Sequence, residues 1–187
     1  SFLNGFQSVL MAPTEILAHQ HFKSIGKMLE KFDVKVGYLT GKESFIYKQG
    51  KIQEIKKKDL LLDLEFGQVQ LLVGTHSLIQ KTVKFSKLAL IIVDEQHRFG
   101  VNQRAELTKN TKLVPHLLSM TATPIPRTLA LTIYGDLDLS LIKEMPRDRK
   151  KVKTLIIDPR GRKAAYDFIY KEVWEGKGIF VICPKIG

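Results

Sequence analysis

Six consecutive apolar residues, Leu88-Ala89-Leu90-Ile91-Ile92-Val93, constrain this chain more than any other feature. A strand with one face in water alternates apolar and polar side chains. A run without polar alternation is the mark of a central strand covered on both faces. Shorter apolar runs at residues 9–12, 34–39, 70–73 and 116–120 read as further strands. Between them lie stretches with helical spacing. Thr14 is placed to cap a helix running to about Phe32, and a long amphipathic helix is expected over residues 44–65, with another over 125–134. Strands alternating with helices predict an α/β fold, a doubly wound parallel sheet with helices on both faces.

In such sheets ligands bind beyond the carboxyl ends of the strands. The residues found there are Pro13-Thr14-Glu15, Thr40-Gly41-Lys42, Gly74-Thr75-His76, Asp94-Glu95-Gln96-His97 and Thr121-Ala122-Thr123. All these turns are polar and should gather on one edge. Asp94 and Glu95 follow the most apolar strand. Two adjacent carboxylates at such a place suit a magnesium–nucleotide site: one holds Mg²⁺, the other orients and deprotonates the attacking water. A bare Asp-Glu pair is more often a solvated turn, and it is the strand before it that reverses the balance. Thr121 and Thr123 can hydrogen-bond across to the 94–97 turn, while Thr123 before Pro124 also fits an ordinary helix cap. Thr14, Glu15, Thr75 and His76 sit at turns opening helices, where hydroxyls and backbone N–H groups bind phosphate, though the same residues are also the commonest caps. Gln103, Arg104 and Arg127 add donors nearby. His19, His21 and His116 show no metal-ligand spacing and read as surface or packed histidines.

Charge narrows the partner. Thirty Lys and Arg against nineteen Asp and Glu give +11 over 187 residues, the excess expected of a chain that meets a polyanion such as nucleic acid. Cys183 is the single cysteine, so neither an internal disulfide nor a cysteine-based zinc site is available, and a reducing cytoplasmic compartment is expected. The apolar run of six is far short of the roughly 20 residues a membrane helix needs, so no membrane partner is expected. Residues 143–153 hold six basic and two acidic residues and a proline, and read as an exposed linker. The expected division is therefore a first domain over 1–145 and, over 146–187, a linker with one β-α-β start: strand 154–158, helix 162–174, strand 179–183.

Four segments then fall in order. MAPTEILAHQH resembles motif Ia of superfamily 2 helicases, VGTHSLIQ motif Ib, IIVDEQHRFG a DExH-type motif II, and SMTATPIPRTLAL motif III. The longer stretches DEQHRFGVNQR and TATPIPRTLALTIYGDLDLSLIKEMP, with RKKVKT, are similar to the RecG family of branch-migration helicases. The resemblance implies a RecA-like motor domain of P-loop NTPase type, followed by the start of a second. It implies ATP and Mg²⁺ as cofactors, and branched or duplex DNA (stalled forks, Holliday junctions) as partner in a bacterial cytoplasm. By position, Asp94 would serve Mg²⁺ and Glu95 the catalytic water. His97, Thr121 and Thr123 would couple hydrolysis to movement, and Thr14, Glu15, Thr75, His76, Gln103, Arg104 and Arg127 would face DNA. No Gly-x-x-x-x-Gly-Lys-Ser/Thr occurs in the 187 residues. The expectation is therefore a piece of a motor, inactive alone, whose P-loop segment, wedge domain and remaining second motor domain are further parts of the same protein. The alternative is a non-catalytic DNA-binding scaffold on a degenerate motor domain.

Overall fold

A computed structural model describes residues 2–95, 114–122, 138–142, 144 and 152–183. The chain divides into two compact units, Ser1–Gly135 and Asp136–Gly187. The first is built on seven strands: β1 (Gln7–Met11), β2 (Val36–Leu39), β3 (Ser44–Lys48), β4 (Lys51–Glu54), β5 (Leu71–Gly74), β6 (Leu88–Asp94) and β7 (His116–Met120). They form one sheet in the order β4-β3-β2-β5-β1-β6-β7. Strands β2, β5, β1, β6 and β7 run parallel, and β3 and β4 extend the β2 edge antiparallel. This parallel-dominated sheet with helices is the RecA-like architecture expected.

Alternation along the strands sends side chains to two cores. Val9, Met11, Leu39, Leu72, Leu88, Ile91 and Val93 pack on one face with Leu60 and Leu64 of α2 (Lys57–Glu65). Leu10, Val36, Tyr38 and Val73 pack on the other with Ala18 and Phe22 of α1 (Glu15–Met28). The register of β1 against β6 shifts between Gln7 and Ser8, which is how Leu88 and Ile91 reach the same face despite their odd spacing. Gln7 is buried at that irregularity. Its amide donates to the carbonyls of Leu64 and Val69, both at 2.8 Å, and its oxygen accepts from the Lys87 N–H at 3.0 Å, so no polar group is left unmade.

The expected helix over 44–65 is corrected. Only Lys57–Glu65 is helical, and residues 44–54 form the β3–β4 hairpin. The turn is Gln49-Gly50, with φ of 49° and 77°. Two successive residues in the left-handed region match a primed hairpin turn, and a glycine in the second place makes it inexpensive. Ser44, Phe45, Ile46 and Tyr47 then add to the free side of β2, where Tyr47 closes against Phe22 in an edge-on ring contact (centroids 6.3 Å, 88°). Satisfying the edge of β2 outweighs helix propensity in this stretch.

In the second unit the helix expected over 162–174 is present as α3 (Arg162–Trp174), preceded by a 3-10 turn at Pro159–Gly161. Residues 154–158 and 179–183, expected as strands, carry no strand ladder. A strand exists only through hydrogen bonds to a neighbour, and two strands with one helix are a marginal unit in water. The expected helix over 125–134 lies outside the described residues.

Candidate functional site

Strand register aligns the carboxyl ends. Leu39 pairs with Gly74, Gly74 with Met11, Met11 with Val93 and Val93 with Ser119, one row across five parallel strands. The next residues of each strand therefore share one edge, as expected: Thr40, Thr75, Ala12 to Thr14, Asp94 and Thr121. The row is tight. A Cβ on Gly74 would stand 2.0 Å from the Leu39 carbonyl oxygen, so only glycine permits the strand spacing at the point where Thr75 and His76 leave the sheet.

Asp94 ends β6 opposite Met120 of β7. Its Oδ2 lies 2.8 Å from Nε2 of His21, on α1, and both side chains are mostly covered, at 20% and 30% exposed. His21 stands 73 residues away in sequence, and no spacing pattern singles it out. It lies one turn past Leu17, on the helix that Thr14 starts, so the helix cap and the pairing of β1 with β6 together set this contact. Glu95 has φ of 52°. A non-glycine residue in the left-handed region carries about 1–3 kcal/mol of strain, the kind found where a side chain must be aimed. Its Oε2 accepts a hydrogen bond from Thr121 Oγ1 at 3.2 Å. The link from the residue after β7 to the turn after β6, expected from sequence, is thus present.

The other turns divide by exposure. Thr14 is exposed and caps α1, its Oγ1 accepting from the Leu17 N–H at 3.3 Å, and Glu15 is exposed beside it. Tyr38 donates its hydroxyl to the Glu15 carbonyl at 3.4 Å. Burial of Tyr38, with the Glu43 and Glu15 carboxylates nearby, holds its phenol above the ordinary tyrosine value despite the opposing hydrogen bond from Thr40. Thr75 is buried and its hydroxyl meets Ser77 Oγ at 3.4 Å. Ser77 in turn donates to the Leu39 carbonyl at 3.2 Å, and only His76 of this turn is exposed. Thr75 therefore shapes the turn and His76 presents a side chain. His97, Gln103, Arg104, Thr123 and Arg127 lie outside the described residues.

Among the described residues no group of three or more His, Cys, Asp and Glu side chains is placed to hold a metal ion by itself. Mg²⁺ does not require one. It is usually held by one or two carboxylates, with water and substrate phosphates completing its shell. Asp94 fits that role: His21 fixes Oδ2, and Oδ1 has no partner among the described residues. No described helix is long and apolar enough to cross a membrane.

Comparison with known proteins shows the family. Residues 2–132 match the family model for DEAD/DEAH box helicases. The chain is 46% identical over 186 residues to the ATP-dependent DNA helicase RecG of Bacillus subtilis, covering all of this chain and 26% of that protein. It is 45% identical over 182 residues to the protein of the same name from Synechocystis, covering 97% and 21%. Among solved structures, RecG bound to a three-way DNA junction superposes with a TM-score of 0.69 at 36% identity, over 92% of this chain and 22% of that one. The chain thus spans about a fifth to a quarter of the length of these relatives.

Proposed function

The chain belongs to the DEAD/DEAH box helicase family, and from that premise we propose that it is part of an ATP-dependent DNA helicase of RecG type that remodels branched DNA such as stalled forks and Holliday junctions. One observation carries the reading. Asp94 ends β6, one of five parallel strands and second from the β7 edge, and Glu95 follows it, with Asp94 fixed by His21 and Glu95 tied to Thr121 just past the neighbouring strand.

Each group then has a task. Asp94 would hold Mg²⁺ on the nucleotide, and His21 keeps the carboxylate turned for it. Bound Mg²⁺ supplies positive charge against the phosphates as negative charge develops on them. Glu95 orients a water for in-line attack on the γ-phosphate and takes its proton, and the strained backbone aims it. Thr121, bonded to Glu95, reports the state of that carboxylate to β7 and the segment after it. Thr123 and His97 would share this coupling. Thr14, Glu15, His76, Gln103, Arg104 and Arg127 would face DNA, with Thr75 holding its turn.

The test is Glu95→Gln in the full-length protein. DNA-stimulated phosphate release should fall by about 10²-fold or more, the usual worth of a general base, while nucleotide binding is kept. Turnover close to the parent's would remove Glu95 from the mechanism. A parent protein that binds DNA with no ATPase activity at all would be the non-catalytic scaffold instead.

A further inference from the structure

The correction of residues 44–54 from helix to hairpin moves a set of charges. Between positions 42 and 58 the chain has six lysines (42, 48, 51, 56, 57 and 58) and two glutamates (43 and 54). A continuous helix would spread them along a solvated face. The hairpin instead returns the chain to the edge it left. Leu39 pairs with Ser44. Ser44 exchanges bonds with Ile55, its Oγ donating to the Ile55 carbonyl at 2.5 Å and its carbonyl accepting the Ile55 N–H at 3.1 Å. Lys56, Lys57 and Lys58 follow immediately, all exposed, at the row of strand ends that carries Thr75 and His76. Lys57 Nζ donates to Gln80 Oε1 at 3.2 Å, which joins them to the segment leaving the His76 turn, and exposed Lys81 is next in the chain. Lys42 sits exposed in the turn between β2 and β3, two residues before Ser44.

These five lysines, from three chain segments, make no ion pair among the described residues. Their arrangement is unfavourable by itself. Three consecutive ammonium groups repel, and they stand at the start of α2, where the helix dipole favours negative charge. A polyanion laid across this edge would reverse that cost, because each lysine facing a phosphate releases condensed counterions.

We propose that Lys42, Lys56, Lys57, Lys58 and Lys81 form a phosphate-contacting surface that extends the DNA-facing edge outward from the Thr75–His76 turn, and that its occupant is the backbone of duplex DNA. The proposal rests on the DNA-helicase reading above and adds to it the residues that supply the electrostatics at the outer end of that edge.

The experiment compares two charge-matched variants of the full-length protein. Lys56→Gln/Lys57→Gln/Lys58→Gln removes three charges from the proposed surface. Lys23→Gln/Lys27→Gln/Lys31→Gln removes three exposed charges from the second half of α1 and the turn after it, away from that edge. Affinity for a fixed duplex is measured from 50 to 200 mM salt. The first variant should bind at least about tenfold more weakly at the low-salt end and lose about 2–3 from the slope of log K against log salt. It should melt at or above the parent temperature, since unfavourable charges have left a helix start. The control should keep nearly the parent slope. Equal affinity and slope for parent and first variant would overturn the proposal, as would an equal loss in both variants, which would mean only that total charge matters. A parent that binds no duplex at any salt would overturn the DNA reading itself.

Discussion

Helices α1 and α3 have almost the same length, 14 and 13 residues, and both are amphipathic in sequence. Their outcomes differ. In α1, Ala18, Phe22 and Gly26 are buried at intervals of four, and Phe22 meets Tyr38 and Tyr47 with ring centroids 5.3 and 6.3 Å apart. In α3 no residue is buried, and Phe168 is 62% and Trp174 89% exposed. Local signals suffice to form either helix. Of the two, α1 packs on paired strands, whereas the described residues that flank α3 in the chain carry no ladder, and most helical stability comes from packing an apolar face rather than from propensity. The comparison separates what makes a helix from what makes a helix hold something in place. Only α1 carries a residue of the candidate site, His21.

The largest expected effect is on the buried ring. Phe22→Ala should cost about 3–5 kcal/mol, through lost burial and the cavity left between Tyr38 and Tyr47. Phe168→Ala should change stability by less than about 0.5 kcal/mol. Urea unfolding of both variants checks the pair, and comparable losses would break the contrast between the helices.

The caps give a smaller, sharper test. Thr14 accepts from the Leu17 N–H, and Asp158 accepts from the N–H groups of Arg160 and Gly161 at 2.8 and 2.9 Å. Thr14→Ala should lower stability by about 1 kcal/mol, because its helix is coupled to the core. Asp158→Ala should instead show as faster amide exchange over residues 159–165, with the melt of the first unit unchanged. A loss of the same size in that melt from both would mean that the second unit is energetically coupled to the first.

The smallest effect is on the alkaline side. The Tyr38 phenol keeps its proton to higher pH in the folded protein than in the unfolded chain, where it ionises near pH 10. Its contribution is therefore fully present below about pH 10 and is lost as pH rises through the higher folded value. Stability should fall above pH 10, and less steeply in Tyr38→Phe. Identical slopes for the two proteins would show that Tyr38 is not the group responsible. Tyr47, also raised by burial and by Glu30, adds a second component of the same sign.

Much of the secondary structure was legible because the deciding signals were local. The apolar run at 88–93, Thr14 before a helical period, and the 116–120 and 162–174 segments each state their structure within a few residues, and strands β6 and β7 and helix α3 form where expected. Asp94, Glu95 and Thr121 were legible for the same reason. Each follows a recognisable strand, and parallel strands that start together end together. The hairpin was not. Phe45, Ile52, Ile55 and Leu62 recur at intervals of 7, 3 and 7, a helical spacing, and the weaker cue, Gln49-Gly50 between Tyr47 and Ile52, competed with a lysine-rich stretch that favours helix.

By itself the sequence determined the alternation of strands and helices, the strand at 88–94 and the acidic pair at its end, all of which follow from side-chain periodicity over a few residues. The central, fully covered place expected of that strand is corrected, because β6 lies second from the edge with Ala89, Leu90 and Ile92 only half-buried, whereas β1 beside it is buried throughout. Tertiary structure alone decided the rest. The unpaired edge of β2 drew residues 44–54 into strands, because backbone groups at a sheet edge gain a ladder there that a solvated helix does not better. The same packing brought His21 to Asp94 across 73 residues and carried Lys56–Lys58 to the row of strand ends. Contacts between distant segments depend on which edges remain open once the nearer elements have paired, and a window of neighbouring residues contains no record of that.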